Sequence, residues 1–443
     1  MRRWKTLTIA FVTLGCKVNQ VDTEAMRARF AGTGHLCVDI PRSPAQEIPD
    51  IIVVNSCAVT AESERKTRQK LRHLRARYPR CILILTGCAA QISKDPDSDY
   101  QEADIVLGHR DIDDLSLYLN EYLLHRDKLF SVSPHCSDEV LCRGDLSCES
   151  SSRTRAFLKI EDGCDQYCSY CIVPHARGHV RSKPLSAIRQ EIETLSYQGF
   201  LEVVLVGINL AAYGSDLGCS LCDAVALFDE FSVIKRLRLG SLEPLCLTDH
   251  ILETLFLSKS LCPHFHISLQ SGSDSVLNRM NRDYDTAQYF STVKHIRERF
   301  PDCAITTDLI VGFPGESDAE FEESIAFARE ISFAKVHVFP FSAREGTSAA
   351  TFPNQISKAI KQARTKTMLS LANEMKHDFM ISQLGKTCDV LLEEPHPSGG
   401  MTGFTSNYTH VIVRDAALNL RNHIIPVRIT DVKDEYCYGA LSR

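Results

Sequence analysis

Gly163-Cys164-Asp165-Gln166-Tyr167-Cys168-Ser169-Tyr170-Cys171-Ile172 places three cysteines at the spacing C-x3-C-x2-C. Three thiolates on one short loop can hold three irons of a cubane cluster. Full ligation of such a cluster takes four cysteines, so the fourth iron is left open to a substrate or cofactor. A structural zinc is the plainer alternative, but those sites carry four ligands in two close pairs. The loop follows the apolar strand Phe157-Leu158-Lys159-Ile160, and strand and helix signals then alternate to about residue 340. Strands are expected at 202–206, 235–239, 264–269, 303–310 and 334–339. Six strand–helix units fit an open, partial TIM-type (β/α)6 barrel, whose active site belongs at the carboxyl ends of its strands.

Toward the N-terminus, three apolar runs end in cysteine. Leu7 to Leu14 ends at Gly15-Cys16, Ile51-Ile52-Val53-Val54 at Asn55-Ser56-Cys57, and Ile82-Leu83-Ile84-Leu85 at Thr86-Gly87-Cys88. Helical segments follow at about 19–31 and 60–77, with a shorter one after 88. Strand–helix alternation implies a parallel α/β sheet. Such sheets bind ligands at the carboxyl edge. Cys16, Cys57 and Cys88 therefore converge as a second three-thiolate set. A single cysteine behind a strand is ordinary burial; three in succession, each after Gly or Ser, form a pattern. Cys81 begins a strand and is expected at the far edge, and Cys37 in the core.

The chain of 443 residues has room for two or three domains. They are placed at 1–126 for the N-terminal α/β domain, 153–383 for the barrel and 384–443 for a C-terminal module, with a linker at 127–152. The formal net charge is -6, so affinity for nucleic acid has to come from local charge. The segment 65–77 supplies it, with seven Lys/Arg and no acid. Arg65, Lys66, Arg68, Lys70 and Arg72 are candidate phosphate contacts; a merely solvated helix face is the bland alternative. Cys136, Cys142 and Cys148 fall in the linker without the close pairing of a metal knuckle. Eighteen cysteines, a short apolar N-terminal run and no stretch of about 20 apolar residues point to a reducing cytoplasm without a membrane.

From Thr387 the period changes to two, with further strands expected at 409–414, 424–430 and 437–441. Short strands with Gly, Asn and Pro turns make a small antiparallel barrel. The module resembles the TRAM domain, an OB-like RNA-binding appendage. Lys386, Tyr408, His410, Arg414 and Arg428 are its candidate RNA contacts.

The cysteine loop, with Tyr170 before its last cysteine, resembles that of the radical S-adenosylmethionine (SAM) enzymes. That resemblance implies a 4Fe-4S cluster whose open iron is chelated by SAM, and one-electron cleavage of SAM to a 5′-deoxyadenosyl radical. Gly207, Asn209, Ser241, Glu243 and Gln270 follow other strands of the barrel and suit a polar, zwitterionic ligand such as SAM.

Over nearly its whole length the chain is similar to the methylthiotransferases of that superfamily. The motifs are Thr13-Leu14-Gly15-Cys16-Lys17-Val18-Asn19-Gln20, Asn55-Ser56-Cys57, Thr86-Gly87-Cys88, Asp162-Gly163-Cys164 through Pro174, Ala176-Arg177-Gly178, Ser241-Leu242-Glu243-Pro244 and Gly312-Phe313-Pro314-Gly315. The first of them is most similar to the branch acting on N6-threonylcarbamoyladenosine in tRNA. Lys183 departs from the family, which often has a second arginine there. The pair Cys219/Cys222 matches no family ligand motif, and His264 and His266 share a strand face without a third ligand.

The resemblance implies methylthiolation of purine C2 at position 37 of tRNA, with two SAM and two 4Fe-4S clusters. Cys164, Cys168 and Cys171 would hold the radical-generating cluster, and Cys16, Cys57 and Cys88 an auxiliary one. It also implies the tRNA anticodon stem-loop and an electron donor such as a flavodoxin or ferredoxin as partners. Three alternatives remain: isopentenyladenosine in tRNA as substrate, a ribosomal-protein side chain as substrate, or a non-catalytic iron–sulfur RNA-binding protein.

Overall fold

The computed structural model describes residues 6–40, 48–136, 139–141 and 153–442. The chain divides into two compact units. Cys142 and Cys148 lie outside the described residues.

The first unit comprises Met1–Ser150, Asp162–Arg181 and Ser342–Ala350. Its centre is a six-stranded parallel sheet in the order β2-β1-β3-β4-β5-β6. The strands are β1 (Thr8–Thr13), β2 (Leu36–Asp39), β3 (Ile51–Ser56), β4 (Ile82–Gly87), β5 (Ile105–Leu107) and β6 (Leu129–Ser131). β3 and β4 are buried along their full length, as parallel strands covered on both faces must be. Successive side chains point to opposite faces. Accordingly Ile52, Val54, Leu83 and Leu85 join one core with Leu71 and Leu74 of helix α2 (Ala61–Arg77). Ile51, Val53, Ile82 and Ile84 join the other with Met26 and Phe30 of helix α1 (Lys17–Gly32).

Three strands of this sheet were not anticipated. β2 and β5 are only four and three residues long, too short for a periodic signal. β6 lies in the stretch read as a linker, and pairs with β5 from Ile105–Leu129 to Leu107–Ser131. Cys81 is buried at the amino end of β4, its thiol 2.7 Å from the Pro49 carbonyl. Cys37 is only half-buried on the edge strand β2 and flanks the core without entering it.

The cysteine loop was expected to belong with the barrel. By its contacts it groups with the N-terminal sheet. Ile172 and Ala176 are buried among Ala58, Ala89, Ala90 and Leu85, so the apolar end of the loop is fixed by the first core. The short segment Ser342–Ala350 is anchored here too. The Ala349 N–H donates to the Ser169 carbonyl at 2.8 Å, and Arg344 pairs with Glu64 of α2.

The second unit comprises Ser151–Glu161, Ser182–Phe341 and Thr351–Arg443. Ala156–Lys159, Glu202–Val206 and Arg236–Leu239 form one parallel sheet. Ser241–Leu242, His264–Ile267, Ala304–Val311 and Lys335–Pro340 form another. A parallel bridge between Leu237 and Leu261 lies beside them. Helices such as Leu185–Tyr197, Thr286–Arg299 and Asp318–Ile331 alternate with the strands.

The helix Lys358–Ile381 leads to a closed five-stranded barrel of Thr387–Pro395, Met401–Thr405, His410–Val413, Ile424–Lys433 and Tyr436–Leu441. Met401–Thr405 was not expected as a strand, because Gly403 interrupts its pattern. That glycine lets two backbones close up: a Cβ there would lie 2.1 Å from the Leu391 carbonyl oxygen.

The barrel is held to the sheet by buried charge. Glu202 is fully buried, 2.9 Å from Arg238 Nε and 3.5 Å from Arg236 Nη1. Both arginines extend onward to barrel carbonyls, Arg236 to Phe404 and Asp389 and Arg238 to Ser406. Tyr408 is stacked on Phe404 at 4.6 Å and lies under Arg155 and Arg238. This residue, a candidate RNA contact, is therefore a docking anchor.

Candidate iron–sulfur and RNA-modifying site

Cys16, Cys57 and Cys88 follow β1, β3 and β4, neighbours in the sheet. Gly15 has φ +104°, and a Cβ on it would lie 2.6 Å from Cys57 Cβ. Only glycine permits that approach, and it brings Cys16 beside Cys57. Asn19, on the first turn of α1, fixes the loop ends. Its amide donates to the carbonyls of Leu14 and Ser56, both at 2.8 Å. Burial raises the thiols of Cys57 and Cys88, the latter to about 11, and Cys16 adds to both shifts. Ligation by metal would thus release protons from buried thiols.

The second trio is held by its loop's ends. Gly163, at φ +93°, and Gly178, at φ +74°, close the loop, and Cys164 N–H donates to the Gly178 carbonyl at 3.1 Å. Cys171 N–H donates to the Cys168 carbonyl at 2.9 Å. Both trios thus belong to one compact unit. Among the described residues no cysteine is in a disulfide.

The donor sets fit clusters better than single ions. Among the described residues, only Asp22, His109 and Asp162 bring three ligand atoms all within 4.8 Å of one another. A closed structural zinc site takes four ligands, and each of the two sets offers three thiols. A cubane with each thiolate on a different iron uses all three and leaves its fourth iron open.

Between the trios lies a network that the sequence reading did not single out. Arg177 ends the short helix Val173–Arg177 and is fully buried. Its Nε donates to Cys88 Sγ at 3.3 Å. Nη1 donates to both oxygens of Asp162, at 3.0 and 3.1 Å, and Nη2 to Asn19 Oδ1 and Asp22 Oδ2. His109 Nε2 stands 3.6 Å from Asp22 and 3.7 Å from Asp162. Burial and Arg177 hold this imidazole below its usual range, against both carboxylates. The guanidinium supplies the positive charge that Asp22, His109 and Asp162 would otherwise seek from a metal. Motifs flanking the cysteines contained Asp162, Arg177 and Asn19, but only the fold shows that they meet.

The other expected contacts divide. Gly207 and Asn209 follow the strand Glu202–Val206, where the Asn209 N–H donates to Glu161 Oε2 at 2.7 Å. Gln270 has φ +66° and bonds through its backbone to Asp308 and Ile310. Ser241 is exposed, and Glu243 forms an ion pair with Arg282. Tyr170 is half-buried on the cysteine loop.

On α2, Arg65 pairs with Glu62, Arg68 with Glu64 and Arg72 with Glu102, whereas Lys66 is exposed and Lys70 half-buried. Arg75 turns inward to Asp104 at 2.6 Å. In the small barrel, Lys386 pairs with Asp302, Arg414 covers the Tyr438 ring at 4.7 Å, and Arg428 is exposed. His410 stacks on Phe404 at 4.4 Å. Burial and nearby cations lower its pKa to about 4, so it is neutral near pH 7 and gives phosphate no charge.

The departures resolve as packing. Lys183 makes a buried pair with Glu191 at 2.6 Å. Cys222 is buried against the Ile251 carbonyl. His264 and His266 both approach Thr306 Oγ1.

The fold and the cysteine loop define a radical SAM protein. Residues 158–328 match the family described as the radical SAM superfamily, and residues 8–108 match the one described as uncharacterized protein family UPF0004. A solved radical SAM methyltransferase from Kitasatospora setae, TsrM, shares the fold. Its TM-score is 0.55 at 12% identity, over 78% of this chain and 77% of that one.

Among the curated relatives are proteins named threonylcarbamoyladenosine tRNA methylthiotransferase MtaB. The Bacillus subtilis protein is 32% identical, over 98% of this chain and 96% of its own length. The Thermotoga maritima protein is 35% identical over 90% of each. The chain belongs to the radical SAM tRNA methylthiotransferase family. Its cofactors are those of the family, SAM and a 4Fe-4S cluster. Among the described residues no helix is long and apolar enough to cross a membrane.

Proposed function

We propose that this protein replaces the C2 hydrogen of N6-threonylcarbamoyladenosine, at position 37 beside the tRNA anticodon, with a methylthio group. The observation that carries this reading is two three-cysteine sets on one compact unit. It is supported by relatives named for that nucleoside. The C2–H bond of a purine is unactivated and offers no proton of useful acidity, so general acid–base catalysis has little purchase. A cluster held by Cys164, Cys168 and Cys171, together with SAM, would supply the radical chemistry that such a bond requires.

The chain's own residues do the positioning. Cys16, Cys57 and Cys88 would hold the auxiliary cluster, which would supply the sulfur. Tyr170, Gly207, Asn209, Ser241, Glu243 and Gln270 would orient SAM, two molecules of which are consumed per product. Arg65, Lys66, Arg68, Lys70 and Arg72 of the first unit, with Lys386, Arg414 and Arg428 of the second, would contact the anticodon stem-loop. The setting is the cytoplasm, with a flavodoxin or ferredoxin as electron donor.

Iron and nucleoside analysis test this together. Anaerobically reconstituted protein is expected to hold about eight irons per chain, four for each cubane. Cys16→Ala is expected to lose about half of them and all methylthiolation, while SAM is still cleaved to 5′-deoxyadenosine. A Cys16→Ala protein with full iron and intact product would overturn the donor role. A deletion strain is expected to lack the methylthio form of threonylcarbamoyladenosine. Its persistence there, with loss of a methylthio group from a ribosomal protein, would move the substrate to that protein.

A further inference from the structure

We propose that Arg177 is the positioning residue of the Cys16/Cys57/Cys88 centre, a buried guanidinium that donates to Cys88 and ties that centre to the loop bearing the other three cysteines. The inference rests on the cluster assignment proposed above. Arg177 Nε lies 3.3 Å from Cys88 Sγ, and its two terminal nitrogens are taken by Asp162, Asp22 and Asn19.

Each partner has a distinct place. Asp162 immediately precedes the loop Gly163–Ile172, and Arg177 follows it. Their double hydrogen bond therefore clamps the loop's two ends together. Asn19 and Asp22 lie on α1, which starts just after Cys16. One planar side chain thus contacts the flanks of both trios and touches a sulfur of one of them.

A plain structural ion pair would need only Asp162 and Asp22. It would not require the remaining donor to be aimed at a ligand sulfur. Hydrogen bonds to ligand sulfurs set the reduction potential of iron–sulfur clusters, and outer partners of metal ligands fix their geometry. A cationic donor at Cys88 stabilises the more negative, reduced form of the centre and so raises its potential. Lysine keeps the charge but lacks the planar fork. It cannot reach Cys88 and both carboxylates at once, so it should rescue only part of the effect.

The test uses full-length protein in which Cys164, Cys168 and Cys171 are replaced by Ala, so that only the auxiliary centre is filled. With Arg177 intact, about four irons are expected. In an EPR-monitored redox titration, Arg177→Gln is expected to lower the reduced-to-oxidised ratio at the parent midpoint at least tenfold. For a one-electron couple that is a fall of about 59 mV. Arg177→Lys should fall between the two. Unchanged potentials in both variants, with iron retained, would overturn the inference while leaving the cluster assignment standing. If the triple-Ala protein binds no iron, the assignment and this inference fall together.

Both variants could fail to fold, so a second measurement uses the unaltered side chain. In protein labelled with ¹⁵N at the arginine guanidinium, pulsed EPR of the reduced auxiliary centre should show a ¹⁵N coupling and an exchangeable proton. Absence of both would overturn the contact.

Discussion

Gly163→Ala separates the loop's geometry from its ligands, because no thiol is touched. The φ of +93° would cost an L-residue roughly 1–2 kcal/mol. The added Cβ would also stand 1.9 Å from the His179 carbonyl oxygen and 2.8 Å from that of Gly178. Both neighbours are backbone, so relief means opening the loop's neck. The bond from Cys164 N–H to Gly178, 3.1 Å long, would then be lost. An unmade buried hydrogen bond costs roughly 1–3 kcal/mol. The combined cost of roughly 3 kcal/mol corresponds to about two orders of magnitude in an equilibrium constant.

Metal binding carries the cost of ordering its site, so cluster retention at this loop should weaken by that factor. The assay is iron loss under a graded chelator, without oxygen. Gly163→Ala is expected to release about four irons at roughly one-hundredth the chelator activity that strips the parent, ahead of the auxiliary four. Gly34→Ala is the control. Its φ is +87° but nothing lies within 4 Å of the new Cβ, so it bears only the backbone term and should leave iron untouched. A Gly163→Ala protein that holds all its iron as tightly as the parent would refute the reasoning.

Glu202→Ala leaves the guanidinium groups of Arg236 and Arg238 buried without their carboxylate. It is expected to destabilise the second unit by roughly 3–5 kcal/mol, read by urea unfolding; a change under 1 kcal/mol would sink the docking role given to this network. Burial pushes the Glu202 carboxyl up, but Arg238, Arg155 and Arg236 together hold it below its usual range. Its contribution is therefore complete above the unfolded value of about 4.3 and disappears as pH falls through the lower folded value. The stability gap between parent and Glu202→Gln should shrink between pH 7 and pH 3.

Lys66→Ala with Lys70→Ala should reduce the slope of tRNA affinity against salt by about two, without altering the melting temperature. Arg75→Ala should do the reverse, since its guanidinium bonds Asp104 and the carbonyls of Glu102 and Cys81. An unchanged slope in the lysine pair would remove α2 from the RNA surface.

Much of this protein was legible because its signals are local. The spacing of Cys164, Cys168 and Cys171 is fixed by one loop, and a cysteine after each of three apolar runs follows from parallel strands sharing a carboxyl edge. Long strands such as β3 and β4 declared themselves through β-branched residues buried on both faces. Short strands did not. β5 and β6 hold three residues each, too few for a period, and form only because the neighbouring edge of the sheet supplies their hydrogen bonds. The same holds for Met401–Thr405, where Gly403 hides a strand that barrel closure requires.

What tertiary structure alone decided is which charges meet. The sequence lists seven Lys/Arg between 65 and 77 as equals; the fold pairs four of them with carboxylates that include Glu102 and Asp104. It also assigns the cysteine loop to the N-terminal unit, because Ile172 and Ala176 find their apolar partners there. Arg177 and Cys88 are 89 positions apart in sequence, and no periodicity spans such a distance. Their contact exists because a buried guanidinium must find carboxylates, and Asp22 and Asp162 are brought within its reach only when α1 and the cysteine loop pack on one sheet.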